Sequence, residues 1–164
     1  MISYAPDDWS RLLSAVGCDL PGAWLAIREF AERAHAVDWR APNAPSERPF
    51  SRDTLFDGAA GDVAIVHWRP GAMTPSHTLH EERLFHCILV GELHQRLYGD
   101  GTGYQEQWGE FRCRAPDAIL CGAEQRFSLY TPTGTVTLAV RARFQKPPVL
   151  EDTDPARPAM TDEA

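Results

Sequence analysis

Lysine is almost missing from this chain. Its single copy is Lys146, so arginine supplies nearly all of the positive charge, and the formal net charge is −7. A surface that grips nucleic acid needs clustered Lys and Arg, and no such run exists, so nucleic acid is excluded as a partner class. No apolar run approaches the length that spans a bilayer, which argues against a membrane partner. The opening residues, MISYAPDDWS, carry two acids and no apolar leader segment, so the expected compartment is the cytoplasm. Cysteine is sparse and unpaired in spacing: Cys18, Cys87, Cys113 and Cys121 form no C-x-x-C. That disfavours a zinc knuckle or a dithiol redox site and suits reduced, mostly buried thiols.

What is present is ordinary for a globular protein: 164 residues, 43% hydrophobic and 24% charged. One domain of this size buries roughly 70% of the surface of its unfolded chain. Residues 7–17 predict a helix, capped by Asp7 or Asp8, striped by Trp9, Leu12, Leu13 and Val16, and ended by Gly17. Pro21 opens a second helix through about Ala36, with Trp24, Ile27 and Phe30 on one side and Leu25 on the flank. Residues 38–48 have no periodicity and read as a loop. From Phe50 the texture changes to short alternating runs: Ser51–Phe56, Asp62–Arg69, Leu84–Val90, Glu92–Tyr98, Tyr104–Arg114, Asp117–Leu120, Gln125–Tyr130 and Thr135–Phe144. Strands at this spacing predict a sandwich or barrel. Trp68, Trp108 and Phe111 are expected in its core. The layout is therefore all-β with N-terminal helices: 1–49 helices and linker, 50–146 barrel, and 147–164 an acidic, proline-rich tail.

The stretch that organises the chain is Gly71 to Gly91, GAMTPSHTLHEERLFHCILVG, with glycine and histidine in G-x5-H spacing. With the WRPG turn before it, this stretch resembles the first cupin motif, in the version found in the cysteine dioxygenase (thiol dioxygenase) family. The resemblance covers roughly residues 50–146 and implies a single cupin jelly-roll β-barrel. It also implies O2-dependent oxidation of a small cysteine-like thiol carboxylate at a non-haem Fe(II). The implied partners are a small thiol or amino-acid-like carboxylate and O2.

Residue by residue, the motif is followed in part. The first family histidine matches His77. The second position is Leu79, and His80 comes one place late. Side chains alternate along a strand, so Leu79 shares the face of His77 and His80 does not, unless a bulge or early turn swings it inward. His86, two residues beyond Leu84, has the parity to point into the barrel. The final ligand position falls on Glu124 or Gln125. A metal set drawn from His77, His80, His86 and Glu124 is the expectation, since two histidines and a carboxylate suit non-haem iron.

Arg52, in Phe50-Ser51-Arg52, matches the family arginine that holds the substrate carboxylate, for which a guanidinium fork is suited. Arg141 and Arg143 share one face of the last strand and could add a second charge. The histidine and tyrosine that the family carries on that strand are absent here. His67 and His94 read as hydrogen-bonded structural residues. Two other functions fit the same scaffold. One is lyase, isomerase or cyclase chemistry without redox iron, using His77, Glu124 and Arg52 as acid, base and anchor. The other is a non-enzymatic binding module.

Overall fold

The computed structural model describes residues 9–14, 25–29, 48–99, 107–122 and 124–143. From Phe50 onward the described residues form eight strands: β1 (Phe50–Gly58), β2 (Gly61–Trp68), β3 (His77–Thr78), β4 (Glu82–Tyr98), β5 (Gln107–Arg114), β6 (Ala118–Cys121), β7 (Arg126–Tyr130) and β8 (Thr135–Arg143). All the pairings are antiparallel. One sheet runs β1-β2-β8-β4-β6, and the other runs β5-β4-β7-β3. Residues 9–14 and 25–29 are helical, as the apolar stripes predict; the rest of both predicted helices and the tail lie outside the described residues.

β4 belongs to both sheets. Its first half pairs with β8 and β6, and its second half with β7 and β5. The sequence pattern splits this segment into two strands at Gly91, whereas the strand is continuous and bends there. Gly91 has φ +88°, and a Cβ at this residue would lie 2.5 Å from the Gly134 carbonyl oxygen. Only glycine turns this corner without strain, so the residue marks a fold in the strand instead of its end.

Strand alternation divides the core in two. On one face, Val63 and Ile65 of β2, Phe85, Cys87 and Leu89 of β4, and Val136, Leu138 and Val140 of β8 form a cluster with Trp9, Leu12, Leu13 and Ile27 of the helical segments. These segments therefore cover the outer face of the first sheet. On the other face, Val66, Trp68, Ile88, Ala139, Leu93, Leu97, Phe127 and Leu129 fill the space between the sheets. β2 is buried almost throughout because both of its faces are covered, which is why its text, GDVAIVHW, is so apolar. Burying a side chain such as Phe85 or Leu138 contributes about 1.5–3 kcal/mol.

Two aromatics depart from expectation. Trp108 and Phe111 have the residue type of a core, yet they are 61% and 54% exposed. They lie on β5, which among the described strands pairs with β4 alone.

Candidate functional site

The inward-facing residues of the first sheet follow from the same parity. Phe50 and Arg52 of β1 lie opposite Trp68 and Val66 of β2, and Asp62 of β2 lies opposite Arg141 of β8. His86 of β4 lies opposite Ala139 of β8. Together with His77, Leu79 and Leu129 from the other side of the barrel, these strands enclose a cavity of about 290 Å³. Its walls are mainly apolar: Phe50, Val66, Trp68, Leu79, Leu84 and Leu129. Five polar residues line it: Arg52, Arg141, His77, His86 and Thr74, whose hydroxyl accepts from the Leu129 N–H at 2.9 Å.

The two guanidiniums are held by one buried carboxylate. Asp62 Oδ2 accepts from Arg141 Nε at 2.7 Å and from Arg141 Nη2 at 2.6 Å, while Oδ1 pairs with Arg52 Nη2. Burial, and then the neighbouring Arg141, pull Arg52 below its ordinary pKa, with Asp57 opposing them. Arginine nevertheless stays charged. Asp62 escaped the sequence reading. Its signal was there: an acid at the same parity as Ala64, Val66 and Trp68, on a strand otherwise apolar.

His86 is fully buried, and burial together with the Arg52 charge lowers its pKa to about 3, so the ring is neutral at physiological pH. Its Nδ1 is 3.0 Å from Thr137 Oγ1, which also accepts from Trp68 Nε1 at 3.2 Å. The threonine hydroxyl has a second lone pair as well as its proton, so it fits either neutral tautomer: donating to Nδ1 with the ring proton on Nε2, or accepting from Nδ1. In His77, Nδ1 donates to the Pro75 carbonyl at 2.9 Å, so in the neutral ring Nε2 carries the lone pair. The ring also packs against Phe127, with centroids 4.4 Å apart.

The other residues read from the sequence stand elsewhere. His80 and Glu124 do not line the cavity: they face each other at 3.6 Å with side chains 76% and 74% exposed. No bulge swings His80 inward, and Glu124 sits in a turn with φ +64° that carries it into solvent. Gln125 donates to the Tyr98 carbonyl at 3.2 Å. Arg143 is outside the cavity, 3.7 Å from Glu82. His94 lies on the outer face of the second sheet between Glu92 and Glu110, and His67 is 3.5 Å from Asp53. Burial pushes the thiols of Cys87 and Cys121 far up, so neither is a ready nucleophile.

The iron that the resemblance implies finds two imidazoles in the cavity, His77 and His86, with Leu79 beside them. Among the described residues no group of three or more His, Cys, Asp or Glu is arranged to hold a metal ion. The described side chains do not fit a three-ligand iron centre.

No protein-family model matches the chain. No curated protein matches it either. Solved structures do. The cupin domain of Cnp3 from Schizosaccharomyces pombe superposes with a TM-score of 0.51 at 14% identity, covering 65% of this chain and 74% of that one. TT1209 from Thermus thermophilus gives 0.51 at 16% identity, covering 64% and 91%. An oxalate oxidase in complex with the substrate analogue glycolate gives 0.50 at 15% identity, covering 63% of this chain and 56% of that one. At these identities the likeness is one of fold, and the fold is a cupin. Among the described residues no helix is long and apolar enough to cross a membrane.

Proposed function

We propose that this cupin takes a small carboxylate with a compact apolar body into its barrel and moves a proton on it without redox iron. The observation that carries the reading is the meeting of two guanidiniums and two imidazoles in one apolar-walled cavity. Arg52 and Arg141 supply a paired set of donors for a carboxylate. The surrounding Trp68, Leu79, Leu84 and Leu129 suit the apolar part of the ligand. His77, with its free lone pair on Nε2, is the candidate base. His86, a buried neutral imidazole, is the candidate donor to the charge that develops when a proton leaves, in the tautomer that carries its proton on Nε2. This pairing of a base with a neutral donor fits isomerase, lyase or cyclase chemistry next to a carboxylate. Glu124, an exposed residue, has no part in it.

The test is calorimetric titration of chelator-treated protein with a panel of small aliphatic and aromatic monocarboxylates. Binding that is lost in Arg52→Lys and kept in His77→Gln supports the anchor and base assignments. No heat from any carboxylate would overturn the reading.

A second reading, a thiol dioxygenase, is favoured by one observation: Arg52 lines the cavity alongside both His77 and His86. It requires Fe(II), for which the donor set is short. Oxygen uptake by anaerobically iron-loaded protein on adding cysteine or 3-mercaptopropionate, abolished in His77→Ala, would favour it. Protein that retains no iron and consumes no O2 with either thiol would remove it.

A further inference from the structure

Behind the two arginines of the cavity stands a carboxylate that does not line it. Arg52 and Arg141 are among the lining residues and Asp62 is not. The Asp62 side chain is 4% exposed, against 35% and 36% for the arginines it holds. A ligand in the cavity therefore meets the cations and feels the aspartate from behind them. Asp62 takes Nε and Nη2 of Arg141 and Nη2 of Arg52. A guanidinium carries five N–H donors, so both arginines keep donors for a ligand.

Two positive charges and one negative leave a single positive charge at this end of the cavity. The buried His86 adds none, because its ring is neutral at physiological pH. Asp57, the other acid that acts on Arg52, is exposed, so water and salt screen it. One negative charge on a ligand is thus matched. A second would face Trp68, Leu84 and Leu129, which offer it no partner, with Asp62 repelling it.

We propose that Asp62 is the specificity-determining residue of this cavity: by cancelling one of the two guanidinium charges, it restricts the ligand to a monoanion and turns dianions away. The proposal rests on the carboxylate reading above and adds the rule by which one class of carboxylate is chosen. Asp62 acts through Arg52 and Arg141 and touches no ligand.

Two matched pairs of acids test it, isobutyrate with methylmalonate and phenylacetate with phenylmalonate. Within a pair, one methyl group or hydrogen is replaced by a carboxylate, and at mildly alkaline pH each malonate is a dianion. In calorimetric titrations of chelator-treated wild type, the monoanion of a pair should bind more tightly. Asp62→Asn keeps the size of the side chain and removes its charge. It should move the preference toward the malonates by about tenfold or more, the Coulomb effect of a nearby, partly screened charge. Arg141→Gln leaves no net charge and should bind neither acid. Asp62→Asn combined with Arg141→Gln restores a single positive charge, relieves the facing cations, and should restore the preference for the monoanion. A merely structural aspartate would instead weaken both acids of a pair alike, with no rescue by the second substitution. Monoanion binding with the same discrimination in wild type and Asp62→Asn would overturn this proposal and leave the carboxylate reading standing. Wild type that binds a malonate as tightly as its monoanion would overturn it without any variant. No binding of any of the four acids to wild type would overturn it together with the reading on which it rests.

Discussion

Asp62 and Arg141 face each other directly across β2 and β8, and one oxygen of the aspartate takes both Nε and Nη2 of the arginine. The second oxygen holds Arg52, so two like charges sit at one end of the cavity only because Asp62 lies between them. Asp62→Ala removes that bridge and leaves the cations facing each other. Removing one member of a buried pair costs about 3–5 kcal/mol. The arginine side chains are 35% and 36% exposed, so water shares the burden and the expected loss is smaller. Urea denaturation measures it. A loss under about 1 kcal/mol would mean that solvent alone can hold the two guanidiniums together.

The buried His86 should leave a mark on the pH dependence of stability. The unfolded chain takes up a proton at this residue near pH 6.5, with the usual histidine value. The folded chain resists until about 3. Between these values the unfolded state binds more protons, so stability rises with pH there and is eroded as pH falls from about 6.5 toward 3. Replacing His86 with glutamine removes the titration and should flatten that limb relative to wild type. Thermal melts from neutral pH down to pH 4 test this. Parallel profiles for the two proteins would assign the acid limb to other groups.

The barrel was legible because its strands alternate. Parity from Leu84 points His86 inward, and parity from His77 keeps Leu79 on its face while sending His80 away; all three stand on those sides. The central ion pair was not legible. Asp62 and Arg141 are 79 residues apart, and nothing local says that β2 and β8 are neighbours in this register. Gly91 misled for a different reason: glycine ends some strands and bends others, and only the Gly134 carbonyl behind it decides which. Trp108 and Phe111 look like core in a list of residue types, but their exposure depends on which strands pair with β5.

Gly91 and Gly71 give a controlled comparison of strain with collision. Both have positive φ, +88° and +76°. A Cβ at Gly71 would meet nothing within 4 Å, whereas at Gly91 it would strike the Gly134 carbonyl. Gly71→Ala should cost only the left-handed backbone penalty, about 1–2 kcal/mol. Gly91→Ala should cost clearly more, because the bend of β4 must also shift against β8. Equal losses in denaturant titrations would show that the strand relaxes freely at its corner.

Leu79 is the residue whose replacement asks most of the cavity. It lines the wall with His77 and His86, at the position where the cysteine dioxygenase resemblance expects a histidine. Leucine cannot bind a metal. An imidazole of similar bulk there would bring a third nitrogen to the two already present, the number that a catalytic zinc site uses. Leu79→His should therefore retain stoichiometric zinc through dialysis where wild type loses it. A metal that binds only the folded form raises stability by about 2.7 kcal/mol at a hundred times its Kd, which a thermal shift with and without zinc would detect. Thr78→His is the control, since the neighbouring side chain on a strand points to the opposite face. Adding His86→Gln to the Leu79→His protein should abolish the gain. Zinc retention that is equal in Leu79→His and Thr78→His, or that survives the loss of His86, would mean that these three positions do not converge on one point in the barrel.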